Sequence, residues 1–312
     1  MNNNGNRFER RLGRWSEIRT LGLDRDQLYP PPSQIQAGHF LFGGGALTID
    51  KRTPVGSMGS CFARKIKEWL EESGFNYLVS SSLHDRQHGS ADWERVYNTH
   101  CVLQEVSRLV DGVEMPLFEL PDGRFLDPWR KNKVFETRGD AEDNVGAYLK
   151  DGVQVLTEME VFVITLGLSE VWFDNHTGYA FSEFPKFPEL FPAERRHLEF
   201  VDSSASLRNL QAAVALLHKI NSDMQIIVTV SPVPLRATFF NRSIFASNSL
   251  SKAALLQAAI ELSLANPNVH YFPSYEIALF LGQGPTFEWD GRHVTDDTVR
   301  LIMAYFEEVF VS

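Results

Sequence analysis

The chain has 312 residues, with 43% hydrophobic and 12% aromatic residues. A chain of this size and composition can bury a large core, so we expect one globular domain, or one domain with an insertion. Its 40 acidic residues outnumber its 30 basic residues, and the formal net charge of −10 excludes an overall positive field for binding nucleic acid.

The first 50 residues are rich in Asn, Arg, Pro and Gly, and we expect residues 1–50 to form an arm on a catalytic domain that spans residues 51–312. Gly43, Gly44 and Gly45 lack the flanking residues of a phosphate-binding loop. No apolar stretch reaches membrane-spanning length, and two cysteines are too few for a disulfide scaffold. These features favour a soluble, cytoplasmic protein without a membrane partner.

Short apolar runs predict β-strands at residues 55–59, 161–166, 225–230 and 268–272, with a weaker fifth at 77–80. The predicted helices cover residues 64–73, 93–110, 206–221, 251–264 and 295–309. Strands that alternate with helices indicate a mostly parallel α/β sheet covered on both faces, with its site at the carboxyl ends of the strands. A Phe- and Pro-rich excursion at 174–202 is interpreted either as a lid or pocket wall, or as a static surface cover.

The first predicted strand ends in Gly59-Ser60-Cys61-Phe62-Ala63, which reads as a strand, a tight turn and a helix start. A cysteine at the first helical position lies beside unpaired N–H groups and the positive end of the helix dipole. These groups are expected to lower the thiol pKa and to offer an oxyanion site. The alternative is that Cys61 is an inert core residue and Ser60 only caps the helix.

A second pattern, Asp290-Gly291-Arg292-His293, follows the last predicted strand. Residues three apart share one turn, so Asp290 can orient His293 while the imidazole takes a proton from a nucleophile and returns it to a leaving group. The alternative is that Asp290 caps the final helix and His293 is an ordinary surface or core residue.

The Gly-Ser-Cys-Phe-Ala string resembles the signature of the GSCFA family, distant relatives of the SGNH (GDSL) hydrolases. The blocks at 165–172, 229–235, 248–253 and 290–295 reinforce the resemblance, which runs from about residue 50 to the end. It implies a three-layer, flavodoxin-like α/β fold with Cys61 in the place of the catalytic serine, served by His293 and Asp290. A register shifted by one residue makes Ser60 the nucleophile instead.

The resemblance also implies an oxyanion and substrate site, although the sequence departs from the SGNH pattern there. Gly167-Leu168-Ser169-Glu170 stands where SGNH enzymes have Gly-x-Asn-Asp, so Ser169 replaces the asparagine. Asn98 is interpreted either as an amide donor to the site or as a helix cap. Glu170 is interpreted in three ways: as a group that binds a substrate amine or hydroxyl, as a group that orients His293, or as a solvated carboxylate. Arg236 is interpreted either as a contact for an anion or carboxylate or as a solvated arginine on a rigid turn, and Lys252 as a possible contact for an acidic substrate beside the structural residues of a helix start.

Together these features predict acyl transfer through an acyl-cysteine intermediate, as an esterase, a thioesterase or an O-acyltransferase. The expected partner is a small-molecule or carbohydrate acyl substrate, with a polysaccharide or another small hydroxyl compound as acceptor. No cofactor or metal is expected, and acyl-CoA or another acyl thioester is the candidate donor. His84 and His88 are interpreted as loop histidines, and Cys101 as a core residue. The alternative function is a binding module that keeps the pocket without turnover.

Overall fold

The computed structural model describes residues 29–30, 35, 47–80, 89–93, 95–281 and 286–312. Most of the predicted arm over residues 1–50, the Gly43–Gly45 run, His84 and His88 therefore lie outside the described residues. The helices and strands in chain order are β1 (Val55–Gly59), α1 (Cys61–Glu72), α2 (Thr99–Val110), β2 (Phe118–Glu119), β3 (Phe125–Asp127), β4 (Lys133–Phe135), α3 (Arg138–Glu158), β5 (Val161–Leu166), β6 (Glu170–Asp174), β7 (Ala180–Phe181), β8 (Arg196–Phe200), α4 (Ser203–Ile220), β9 (Gln225–Val230), α5 (Ile244–Ala265), β10 (Val269–Phe272), α6 (Ser274–Leu281) and α7 (Asp296–Phe310).

The central sheet is parallel and has the strand order β1-β5-β9-β10. A parallel bridge from Val55 to Tyr77 places the weak fifth run beside β1. If the five segments are numbered in chain order, their spatial order across the sheet is 2-1-3-4-5, which is the flavodoxin-like order. Gly59 pairs with Thr165, and Thr165 pairs with Thr229, so three strands end at the same edge. The predicted three-layer α/β fold is confirmed.

Helices cover both faces of this sheet and enclose two apolar cores. One core contains residues of α2, α3, α4 and α5, and the other contains residues of α1, α6 and α7. Helix α1 shows why the sequence folds in this way: Phe62, Ile66 and Leu70 recur at helical spacing and are all buried. Because β5 is buried along its whole length, residues 161–165 of the strand and Leu166 read in the sequence as a mostly apolar run, whereas β1 is equally buried but contains Ser57 and two glycines.

Two small antiparallel sheets, β2-β3-β4 and β7-β6-β8, extend the domain on the side of α2. The second contains most of the predicted excursion at 174–202. Aromatic rings pack between the two sheets, with Trp129 stacked on Phe181 and Phe191 edge-on to both Phe118 and Phe181. The excursion is therefore a packed part of the domain.

Several element boundaries differ from the predicted ones. The helix predicted from residue 93 begins at Thr99, because Asn98 caps it and Arg95 has a φ of 66° that no helix accommodates. The helix predicted from residue 251 begins at Ile244, so Lys252 lies inside α5. Helix α3 was not predicted, since its three glycines and largely exposed surface give it weak periodicity. No helix in the described parts of the chain is both long and apolar enough to cross a bilayer.

Candidate active site

A cavity of about 650 Å³ opens at the carboxyl ends of the sheet strands. The predicted site residues Ser60, Cys61, Gly167, Glu170 and His293 all line it. The excursion contributes part of the wall, which agrees with the pocket-wall interpretation of that segment. Its lining residues are Phe181, Ser182, Glu183 and Phe184.

The turn between β1 and α1 depends on Gly59. Its φ of +135° is rarely accessible to other residues, and a Cβ there would lie 2.3 Å from the carbonyl oxygen of Thr165. The Gly59 N–H donates to Trp93 O at 3.2 Å, and Gly59 O accepts from Val96 N at 3.1 Å. The close approach of β1 to β5 at this point fixes where the next two residues lie.

Ser60 lines the cavity but is almost fully buried, and β5 holds it in place. Its N–H donates to Thr165 Oγ1 at 2.7 Å, and its Oγ lies 3.0 Å from the same hydroxyl. The Ser60 Oγ also accepts from Phe62 N at 3.2 Å, which makes Ser60 the N-cap of α1. With 3% of its surface exposed, Ser60 is bound on both sides as a structural residue.

Cys61 is the first residue of α1 and is half-buried at the cavity wall. Burial raises the pKa of its thiol, while the charges of Arg292, Lys252 and Arg64 act in the opposite direction. The net pKa shift is upward, so the expected lowering of the thiol pKa at the helix start is wrong. The desolvation of the sulfur outweighs the nearby positive charges. The thiol form therefore predominates at neutral pH.

Asp290 and His293 form a pair within one turn before α7. His293 Nδ1 lies 2.6 Å from Asp290 Oδ2, and the N–H groups of Arg292 and His293 donate to Asp290 Oδ1 at 2.9 and 3.0 Å. These hydrogen bonds, with that from the Arg292 N–H the largest, lower the Asp290 pKa to about 2. An ionised carboxylate only accepts, so in the neutral imidazole Nδ1 carries the proton and Nε2 has the lone pair that can act as a base. Thr295, not Asp290, caps α7.

The thiol and the imidazole share the cavity but are not bonded. No hydrogen bond joins Cys61 Sγ to His293 in the described structure, and more than half of the His293 side chain is exposed. Proton transfer between the two groups therefore requires a side-chain rotation or a bound substrate that brings them together.

Asn98 and Ser169 are not among the described residues that line the cavity. Asn98 accepts from Cys101 N at 2.9 Å and donates to Phe181 O at 3.3 Å, which is the helix-cap interpretation. Ser169 is buried against α5, where its Oγ donates to Ser251 O at 3.2 Å. Neither side chain offers a donor to the cavity. No other described residue accepts from the Cys61 N–H at the start of α1, so this group is the best-placed oxyanion donor.

Glu170 lines the cavity and is bound by the loop that precedes α5. Its carboxylate accepts from Thr238 Oγ1 at 2.9 and 3.0 Å and lies 3.4 Å from Arg242 Nη2. No contact with His293 is present in the described structure. Glu170 therefore positions one wall of the cavity, and it is neither solvated nor an orienting partner of the imidazole.

Lys252 connects the strand ends below the cavity. It is 1% exposed, and its Nζ donates to the carbonyl oxygens of Gly167, Ser231 and Val233 at 2.8, 2.7 and 2.8 Å. Burial lowers the Lys252 pKa to about 7, but three acceptors match the three N–H donors of an ammonium group, so we assign the charged form. Lys252 has a structural role here.

Fold and cavity thus define a three-layer α/β protein with a cysteine and an Asp-oriented histidine at the carboxyl edge of a parallel sheet. The chain belongs to the GSCFA family, whose profile matches residues 54–306. No curated protein matches the chain in sequence. Among solved structures, a family 3 carbohydrate esterase of Clostridium thermocellum is 11% identical at a TM-score of 0.33. The match covers 83% of this chain and 95% of the esterase, and a likeness of this strength carries no argument about activity.

Proposed function

We propose that this protein is an acyl-transfer enzyme that works through an acyl-cysteine intermediate. The carrying observation is that Cys61, at the start of α1, and His293, oriented by Asp290, line one cavity. Ser60 is the weaker candidate for the nucleophile, because Thr165 and the helix cap already bind its hydroxyl.

In the first half-reaction the Cys61 sulfur attacks the acyl carbonyl carbon while His293 Nε2 takes the thiol proton. The Cys61 N–H hydrogen-bonds to the oxyanion of the tetrahedral intermediate. When this intermediate collapses, the bond to the leaving alkoxide or thiolate breaks, and His293 gives that group the proton. Because the Cys61 pKa is raised, deprotonation accompanies the attack rather than preceding it.

In the second half-reaction water or a hydroxyl compound gives its proton to His293 and attacks the Cys61 thioester. The Cys61 thiolate leaves and recovers the proton from His293. Water as acceptor makes the protein an esterase or thioesterase, and a hydroxyl of a sugar or another small compound makes it an O-acyltransferase. An acyl-CoA or another acyl thioester is the proposed donor for the transferase reaction.

The test is to incubate the protein with p-nitrophenyl butyrate or butyryl-CoA and to locate the acyl group by peptide mass spectrometry. We expect one acyl group on Cys61, and we expect Cys61→Ala to lose turnover by about 10³-fold or more. Cys101→Ala is the matched control and keeps its activity, since Cys101 is buried in the core. An adduct on Ser60, or full turnover in Cys61→Ala, would overturn the assignment.

A non-catalytic binding module is the second candidate function. The observation that favours it is the engagement of Asn98 and Ser169 elsewhere, which leaves the Cys61 N–H as the evident backbone oxyanion donor in the described cavity. A module of this kind binds an acyl ester with equal affinity in wild type and Cys61→Ala and forms no covalent adduct.

A further inference from the structure

The charged side chains along the described cavity wall are mostly cationic, although the chain has a net charge of −10. The two carboxylates that line the cavity, those of Glu183 and Glu170, already have partners within the protein. Glu183 Oε1 lies 3.4 Å from Arg95 Nη1, and Glu170 is bound by Thr238 and Arg242. The lining arginines are Arg64, Arg95, Arg236 and Arg292.

Two of these arginines have no carboxylate partner among the described residues. The Arg292 guanidinium donates to Pro234 O at 3.3 and 3.2 Å, which holds it against the loop that carries Arg236. Arg236 is exposed, and no described residue bonds to its guanidinium. Arg292 acts on the Cys61 thiol more strongly than any other cation. A guanidinium without a carboxylate partner can use its remaining N–H donors to bind carboxylate or phosphate oxygens.

Another part of the same wall is a group of aromatic rings. Phe184 and Phe239 stack at 5.1 Å between centroids, and both meet Trp172 edge-on at 5.3 and 5.2 Å. Phe184 is 39% exposed and Phe239 is 54% exposed, so much of their apolar surface faces the cavity or solvent. A ligand that covers these rings gains the free energy of burying that surface.

We propose that the substrate of the acyl-transfer reaction is anionic, with its negative group bound by Arg236 and Arg292 and its apolar part packed on Phe184 and Phe239. The anion is a carboxylate on the acyl chain or a phosphate on a thioester donor, which present the same oxygen acceptors to a guanidinium. This inference rests on the proposed function and names its substrate class.

The first experiment compares p-nitrophenyl hemisuccinate with p-nitrophenyl butyrate, whose acyl groups are similar in size but differ in charge. We expect Arg236→Gln to lower kcat/KM for the hemisuccinate about tenfold and to change that for the butyrate less than about twofold. Arg292→Gln also removes a charge near Cys61, so we expect it to lower the hemisuccinate-to-butyrate ratio of kcat/KM about tenfold. Arg208→Gln removes the same charge from the exposed face of α4, away from the cavity, and leaves both values unchanged.

A second pair of substrates distinguishes the two sources of negative charge. Butyryl-CoA carries phosphates, and S-butyryl-N-acetylcysteamine has the same thioester without them. If the arginine variants lose activity only with butyryl-CoA, the donor phosphates are the anion. If they lose it only with the hemisuccinate, the acyl carboxylate is the anion.

A binding measurement separates this inference from the catalytic one. N-phenylsuccinamate and N-phenylbutyramide are stable anionic and neutral probes, and their Kd for Cys61→Ala can be measured by calorimetry. We expect tighter binding of the anion, and a loss of that preference when Arg236→Gln is added. Equal affinities for the two probes, together with an equal loss of kcat/KM for anionic and neutral esters in both arginine variants, would overturn the proposal even if Cys61 is acylated.

Discussion

At the scale of single residues, burial and nearby charges have opposite effects on the pKa of the Cys61 thiol. Burial favours the neutral thiol, and the positive charges of Arg292, Lys252 and Arg64 favour the thiolate. Burial is the larger of the two. A nucleophile in this state depends on a base during the attack, as a serine does, which explains why the orientation of His293 matters for the proposed reaction.

The balance at Cys61 can be measured by its alkylation. We expect the iodoacetamide reaction of Cys61 to rise with pH up to the raised thiol pKa, because only the thiolate reacts. Arg292→Gln removes a charge that lowers this pKa, so the midpoint of the profile moves to higher pH. Cys101 is an internal control: burial raises its pKa to about 12, and it stays unlabelled. A midpoint that is unchanged or moves to lower pH in Arg292→Gln would contradict the electrostatic account.

Asp290 is expected to act through the imidazole. In Asp290→Asn the amide NH₂ faces His293 Nδ1 and favours the tautomer with the proton on Nε2, which cannot accept the thiol proton. We expect ester turnover to fall on the order of 10³-fold, with thermal stability nearly unchanged because the asparagine Oδ1 can still accept from the Arg292 and His293 N–H groups. The Asp290 pKa of about 2 also means that its protonation does not reduce wild-type activity above about pH 4. Turnover within a few fold of wild type in Asp290→Asn would exclude the orienting role.

At the scale of elements, the turn from β1 to α1 positions Cys61, the proposed nucleophile. Gly59→Ala introduces both an unfavourable φ and a clash with Thr165 O, and we expect a loss of about 3 kcal/mol in the free energy of unfolding. Gly112 also has positive φ, but the space that a Cβ would occupy there is open, so Gly112→Ala isolates the backbone contribution at about 1 kcal/mol. Urea unfolding, monitored by tryptophan fluorescence, measures the loss of unfolding free energy in each variant. Equal losses would show that the strand contact does not restrict residue 59.

Helix α5 supports the cavity through Lys252. In Lys252→Met, the carbonyl groups of Gly167, Ser231 and Val233 lose their common donor. We therefore expect the free energy of unfolding to fall by about 3 kcal/mol. Lys219→Met is a control on the surface of α4, with an expected change within about 0.5 kcal/mol. If Lys252→Met were as stable as wild type, the structural role assigned to Lys252 would be wrong.

At the scale of the whole molecule, the sequence predicted the central sheet well. Its strands are buried on both faces, so β5 and β9 are mostly apolar runs, and β1 is a short run of small and apolar residues that ends in a turn glycine. The Cys61 and Asp290–His293 segments could also be located, since each is a local pattern that depends on one turn. The helix start predicted at residue 93 was wrong, although the interpretation of Asn98 as a helix cap is confirmed.

The remainder of the site depends on tertiary contacts. Lys252 binds carbonyl groups 19 to 85 residues away, and Ser60 is bound by Thr165 across 105 residues. No local pattern encodes such partners. The upward shift of the Cys61 pKa has the same origin, because the helix start is visible in the sequence whereas the depth of burial is set by the assembled cavity.

The raised pKa of Cys61 also determines how the protein responds to oxidants. Hydrogen peroxide attacks thiolates and converts them to sulfenic acid, so a cysteine kept mainly as the thiol is oxidised slowly at neutral pH. Cysteine enzymes with a preformed thiolate–imidazolium pair lack this protection. The half-buried sulfur of Cys61, the proposed nucleophile, is therefore expected to react with peroxide more slowly than the low-pKa thiols of such enzymes.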